Sequence, residues 1–166
     1  LKDGKFDVSS FEYATKIWTI TLEISVMMAQ FPSKAIAQRS YDYRTLGLGY
    51  ANIGALLMNM GYSYDSKEGR ALCGAITAIM TGVSYSTSAE IAKEIGPFDA
   101  YKRNQQNMIS VIENHKRAAF SEKGGYNNLF IKPVPLDKEN CPDQDLIARA
   151  KRSWDQALEN GKKYGF

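Results

Sequence analysis

Between Ser9 and Phe31 apolar side chains occur on every side of the chain rather than along one stripe. Ile17, Trp18, Leu22, Ile24, Val26, Met27 and Met28 wrap most of a helical circumference. Ser9, Ser10, Phe11 and Glu12 form a capping-box pattern with Ser9 as the cap, and Pro32 predicts a stop near Phe31. Lys16 and Glu23 interrupt the run and argue against a membrane span. A helix that is apolar all round and lies outside a membrane is expected to be buried. That is a large demand on a chain of 166 residues.

The pattern changes further on. Ser33 can cap a short helix through about Tyr43. The stretch Thr45–Tyr50 alternates side chains with glycines and predicts a short strand. From Ala51 the spacing of Ile53, Leu56, Leu57 and Met60 is helical, with Gly61 as a left-handed cap. A second capping box, Asp65 to Glu68, opens a long helix that ends at Ile95 before Gly96 and Pro97. Its small residues, Gly69, Gly74 and Gly82 among them, predict a close helix approach or a mild kink. A further helix spans Ala100–Phe120 with Tyr101, Met108, Ile109 and Ile112 inward. Residues 124–143 are irregular and form the only plausible linker. Asp143 or Gln144 then opens a last helix that places Leu146, Ile147, Ala150, Trp154, Ala157 and Leu158 on one face and stops near Gly165. The fold class expected is mainly α, about five helices with one short strand at 45–50, forming a single segment over 1–166.

Composition narrows the function classes. A hydrophobic fraction of 44% and a charged fraction of 23% are those of an ordinary globular chain. The net charge of +3 is spread out, with no Lys/Arg stripe interleaved with aromatics, so nucleic-acid binding is not expected. Cys73 and Cys141 lie far apart without a Cys-x-x-Cys spacing, which suits a reducing compartment. Leu1 is not a methionine, and the first residues resemble neither a signal nor a transit peptide, so the chain reads as an interior piece. Its ten tyrosines, two tryptophans and seven phenylalanines suit a segment that packs against more protein.

Candidate chemistry is sparse. The glycines at 47, 49 and 54 are not a dinucleotide fingerprint, because Asn52 stands where the third glycine belongs. Their expected role is close packing of strand on helix. His115, the sole histidine, cannot supply a multi-ligand metal site and is expected to be exposed or capping. Cys73 is expected to be an inert packed thiol, while Cys141, in a loop before Pro142, is the candidate reactive thiol, with no histidine near it in sequence. Tyr85 to Ser88 bring hydroxyls that can back-bond and bend the long helix. Met27, Met28, Met58, Met60 and Met80 are expected to fill the core.

Three stretches carry a resemblance: Arg44–Gly61, Glu68–Val83 and Ile95–Phe98. Together they resemble the catalytic subunit of class II, adenosylcobalamin-dependent, ribonucleotide reductase. The closing Trp154 and Tyr164–Phe166 are similar to that family's helix leading into its next barrel strand. The likeness covers nearly the whole chain, and it implies part of a ten-stranded α/β barrel with a finger loop inside. It further implies reduction of ribonucleotides, as a ribonucleoside-diphosphate reductase, by a thiyl radical that adenosylcobalamin initiates. The rest of the reductase chain, a ribonucleotide and a thioredoxin-type reductant are the implied partners, in the cytoplasm and without a membrane or direct nucleic-acid contact.

None of the family's catalytic residues falls on this chain. The finger-loop pattern Asn-x-Cys-x-Glu is absent, since Asn140 and Cys141 are followed by Pro142 and Asp143. The resemblance places that loop before Leu1 and a phosphate-binding loop after Phe166. The segment is therefore expected to be inactive alone and to bind no cofactor or metal, serving as scaffold. Arg44, Gly47, Gly49 and Gly54 are the structural site expected, and Arg44 with the adjacent loop ends is the candidate for a nucleotide or cobalamin contact. A self-contained helical interaction domain is the alternative reading.

Overall fold

A computed structural model describes Leu1 and residues 4–166, and six helices fill it. They are α1 (Val8–Met28), α2 (Lys34–Tyr43), α3 (Ile53–Asn59), α4 (Lys67–Ile95), α5 (Tyr101–Ala119) and α6 (Gln144–Tyr164). Among the described residues there is no strand. The 45–50 stretch has no neighbouring chain to pair with, and a strand exists only through its ladder. The helix count is six rather than about five, although each of the six stretches carries its own helical signal in the sequence.

Most termini follow local chemistry. Ser33 and Ser66 cap α2 and α4 by accepting from the backbone N–H of Ile36 and Gly69. Asp143 caps α6. Gly61 closes the turn after α3 at φ 77°, a conformation that glycine adopts without a Cβ penalty. The start of α1 departs from expectation. Asp7, not Ser9, is its cap, accepting from the Ser10 N–H at 3.1 Å. The Glu12 carboxylate is drawn instead to Arg149 of α6 at 2.6 Å, and the Ser9 hydroxyl accepts from the same guanidinium at 3.2 Å. The end also comes early. A proline ring clashes with the carbonyl four residues before it, and for Pro32 that carbonyl belongs to Met28, the last residue of α1.

The long helix α4 is the centre. It packs chiefly on α6 and next on α1, while α5 packs on α6. One apolar cluster joins Leu72, Ala75, Ile76 and Ile79 of α4 to Leu146, Ile147 and Ala150 of α6 and to Leu57 of α3. A second gathers Ala89, Tyr101, Ile112, Trp154, Ala157 and Phe166. Close approach, of the two expectations for the small residues, is what Gly82 provides. A Cβ there would lie 2.9 Å from Ser153 Cβ and 3.2 Å from Trp154 Cδ1.

The expectation of a buried α1 is corrected. Its buried residues are Val8, Thr15, Thr19 and Glu23, whereas Trp18 is 57% and Met28 78% exposed. Thr15 and Thr19 satisfy their hydroxyls on the carbonyls of Phe11 and Thr15, so a polar stripe can face α4 without orphaned groups. Met27 and Met58 are exposed as well, so the methionines do not form a common core. The loop between α5 and α6 is held on the body. Buried Asn114 bonds both backbone groups of Asn127, and the Leu136 N–H donates to Ala118 O at 2.9 Å. The corner after α4 ties two distant points: Ala100 N–H donates to Asp42 O and Phe98 N–H to Phe166 O, both at 2.9 Å.

Gly82→Ala should destabilise the fold by roughly 1–3 kcal/mol, because α4 and α6 must separate to admit the methyl. Thermal melting of the variant against the parent protein measures it, and an unchanged melting temperature would contradict the close approach.

Candidate functional site

The expected site residues lie where α2 ends and the chain turns toward α3. Arg44 is the C-cap of α2 and sits in the left-handed region at φ 42° and ψ 48°. A non-glycine residue there is uncommon. Its guanidinium reaches back to α1, where its Nη1 lies 3.1 Å from the Glu23 carboxylate, and both side chains are largely buried. The contact is an ion pair without hydrogen-bond alignment: Glu23 Oε1 and Arg44 Nε are buried and form no hydrogen bond among the described residues. A buried pair of this kind fixes geometry more than it adds stability, since removing either partner strands a charge.

Thr45–Tyr50 then alternates. Leu46, Leu48 and Tyr50 are half-buried, and Thr45, Gly47 and Gly49 are exposed. That is the two-sided alternation of an extended chain. On the inner side, Leu46 and Leu48 join Leu22, Glu23, Arg44 and Phe98 in lining a cavity of about 420 Å³ against α1 and α4. The Tyr50 hydroxyl meets Thr77 Oγ1 at 2.7 Å and Cys73 Sγ at 3.2 Å. Burial, and then the neighbouring Cys73, raise the Tyr50 pKa. On the outer side, a Cβ at Gly47 or Gly49 would meet nothing within 4 Å. Gly54, within α3, faces the Tyr64 ring at an ordinary 3.7 Å. The structure therefore brings Arg44 together with Glu23, and it turns Gly47 and Gly49 away from the helices.

The remaining candidates are inert by geometry. Cys141 is buried, its thiol donates to Asp143 O at 3.4 Å, and burial pushes its pKa up, so the thiol expected to be the reactive candidate is shielded. The hydroxyls that back-bond on α4 are those of Thr77, Thr81 and Ser84, just ahead of the expected run. His115 does not cap. Its ring lies flat on the Trp154 indole, centroids 5.1 Å apart and planes 4° apart, with its other side at the surface. Among the described residues no group of three or more His, Cys, Asp or Glu side chains is arranged to hold a metal. Among the described residues, too, no helix is long and apolar enough to cross a membrane.

Glu23 is the residue that sequence reasoning passes over, because along the chain it stands only as an interruption of an apolar helix. Its signal is the four-residue spacing of Thr15, Thr19 and Glu23, which lines three polar side chains along one face.

The family described as ribonucleotide reductase, barrel domain, matches residues 1–166. Two similar relatives are vitamin B12-dependent ribonucleotide reductases. That of Bradyrhizobium diazoefficiens is 62% identical over 97% of this chain, and that of Agrobacterium fabrum 58% identical over 99%. The corresponding reductase of Streptomyces avermitilis is 39% identical over 99%. The chain spans 13% of the length of the first two and 16% of the third. The chain belongs to the ribonucleotide reductase barrel-domain family.

His115 carries a pH dependence. Desolvation lowers its pKa below the ordinary 6.5. The unfolded chain therefore binds the proton more readily, and the stability present above pH 6.5 is lost as pH falls through the lowered value. Denaturant titrations across that range should show stability declining toward acid, and His115→Gln should remove that part of the slope.

Proposed function

We propose that this chain is a scaffolding part of the catalytic barrel of an adenosylcobalamin-dependent ribonucleotide reductase, catalytically incomplete by itself. The parent enzyme converts ribonucleotides to deoxyribonucleotides for DNA synthesis, with the ribonucleoside diphosphate as the substrate form and a thioredoxin-type protein as reductant, in the cytoplasm. Family membership and the names of the relatives support the reaction class and the cobalamin. The observation that carries the scaffolding role is the inverted burial of α1. It turns Thr15, Thr19 and Glu23 inward and leaves Ile17, Trp18, Ile24, Met27 and Met28 outward. An exposed apolar face of that kind marks a packing surface.

The residues present do not form a corrinoid site. The sole histidine lies flat on Trp154, and a corrinoid is far larger than either described cavity, of about 420 and 510 Å³. The segment's contribution is positional. Four elements, α1, α2, α4 and the 45–50 stretch, are joined by Glu23–Arg44 and Tyr50–Thr77, and the extended 45–50 stretch would become a barrel strand only once neighbouring strands of the parent enzyme pair with it. Arg44, Gly47, Gly49 and Gly54 act there as packing residues. A rigid support of this kind sets the geometry of reacting groups held elsewhere.

Expressed alone, the segment should show no reductase activity and should associate through α1, which analytical ultracentrifugation reads directly; a compact, cooperative monomer is the opposing result. In the full-length enzyme Trp18→Ala should cost roughly 3–5 kcal/mol, the loss expected for a fully buried indole. Unchanged melting of that variant would show that α1 faces solvent and would remove the scaffolding reading. Deoxyribonucleotide formation by the full-length enzyme, assayed with ribonucleoside diphosphates and triphosphates with and without adenosylcobalamin, tests the activity and the substrate form.

A further inference from the structure

Two glycines of the 45–50 stretch have no purpose within the chain that holds them. Neither Gly47 nor Gly49 has a positive φ, so their backbone conformations do not demand glycine. A Cβ on either would meet nothing within 4 Å, so no neighbour demands it. Glycine weakens an extended segment, because it loses more freedom on ordering and offers no side chain to pack. Placed two apart, they leave one face of the stretch bare, with exposed Thr45, which also borders the inner cavity, as its only side chain before Tyr50 turns back toward α4. The backbone N–H and C=O groups of 45–49 make no hydrogen bond to other described residues. Both edges are therefore open for pairing, and the bare strip is a face rather than an edge.

We infer that the face formed by Thr45, Gly47 and Gly49 receives the main chain of another stretch of the same reductase polypeptide, which crosses it at a distance that a Cβ would block. The inference rests on the scaffolding reading above. Three observations favour polypeptide over a small charged ligand. The adjacent Arg44 guanidinium is turned inward onto Glu23 and not toward the strip. Thr45 supplies its sole polar side-chain group. The relatives hold ample further chain, since this segment spans 13% of two of them.

The test uses the full-length reductase. Gly47→Ala and Gly49→Ala are compared with Gly124→Ala, a loop glycine whose Cβ likewise meets nothing in this chain and whose φ is also not positive. If the face is covered, the first two lower the melting temperature by on the order of 3 °C each, or fail to yield soluble enzyme. Gly124→Ala is then neutral or slightly stabilising, as expected for an unhindered glycine replacement. Equal, neutral behaviour of all three variants overturns the inference. Thr45→Cys gives a second measurement that does not depend on a clash. Maleimide labelling at that position, read by peptide mass spectrometry, should be about tenfold or more slower than at Lys123→Cys in the native enzyme. Protection that appears only when nucleotide or cobalamin is added overturns the inference in favour of a ligand. Should the glycine variants be silent while Trp18→Ala still destabilises, this face is open and the scaffolding reading stands; silence of both removes the scaffolding reading as well.

Discussion

The approach of α4 to α6 at Gly82 is the contact on which the rest is built. Where any other residue would place a Cβ, Ser153 and Trp154 occupy the space. That lets Trp154 sink to 2% exposure, and the aromatic groups arrange themselves around it: Tyr85 from α4 and His115 from α5. Tyr85 in turn meets Phe166 edge-on. The requirement is steric. It fixes the spacing of the two helices, and the spacing decides which aromatic rings can share the second apolar cluster.

Against that core, α1 is laid with its polar side inward. Intrahelical hydroxyl bonds make this tolerable at Thr15 and Thr19, and Arg44 makes it tolerable at Glu23. A helix of this composition packed alone would turn the other way, since burying its apolar side chains would release more free energy than burying two threonines. The observed orientation brings Glu12 to Arg149 and Arg152, Lys16 to Glu90 of α4, and Glu23 to Arg44. Such partly exposed pairs fix register more than they add stability, so they do not by themselves outweigh the apolar preference.

Much of this was legible in the sequence, for reasons particular to each element. Ser33, Asp143, Gly61, Gly96 and Pro97 act on their own neighbours, so they marked ends of α2, α3, α4 and α6 without knowledge of the fold, whereas the cap that opens α4 fell on Ser66, one residue after the Asp65 of the expected box. The single-sided patterns of α5 and α6 named their buried faces. What failed was whatever a distant residue decides. Arg149 took Glu12 out of the capping box, and the missing ladder partners removed the strand at 45–50. Burial of Cys141 in the first apolar cluster silenced the thiol that looked available. At the candidate site, Arg44 and the three glycines could be picked from their pattern, but Glu23 could not be read as the partner of Arg44. Two residues 21 positions apart become neighbours only through the tertiary turn of α2.

The corner at 98–100 has a mechanical meaning. Two main-chain bonds there hold Asp42, two residues ahead of Arg44, and Phe166, more than a hundred residues further along. The threshold of the glycine stretch and the far end of α6 are thus riveted to one block, with Tyr101 wedged between Phe98 and Phe166. Strain applied at either place is shared by both, so the two ends of this half of the molecule tilt together and neither can swing independently of the other.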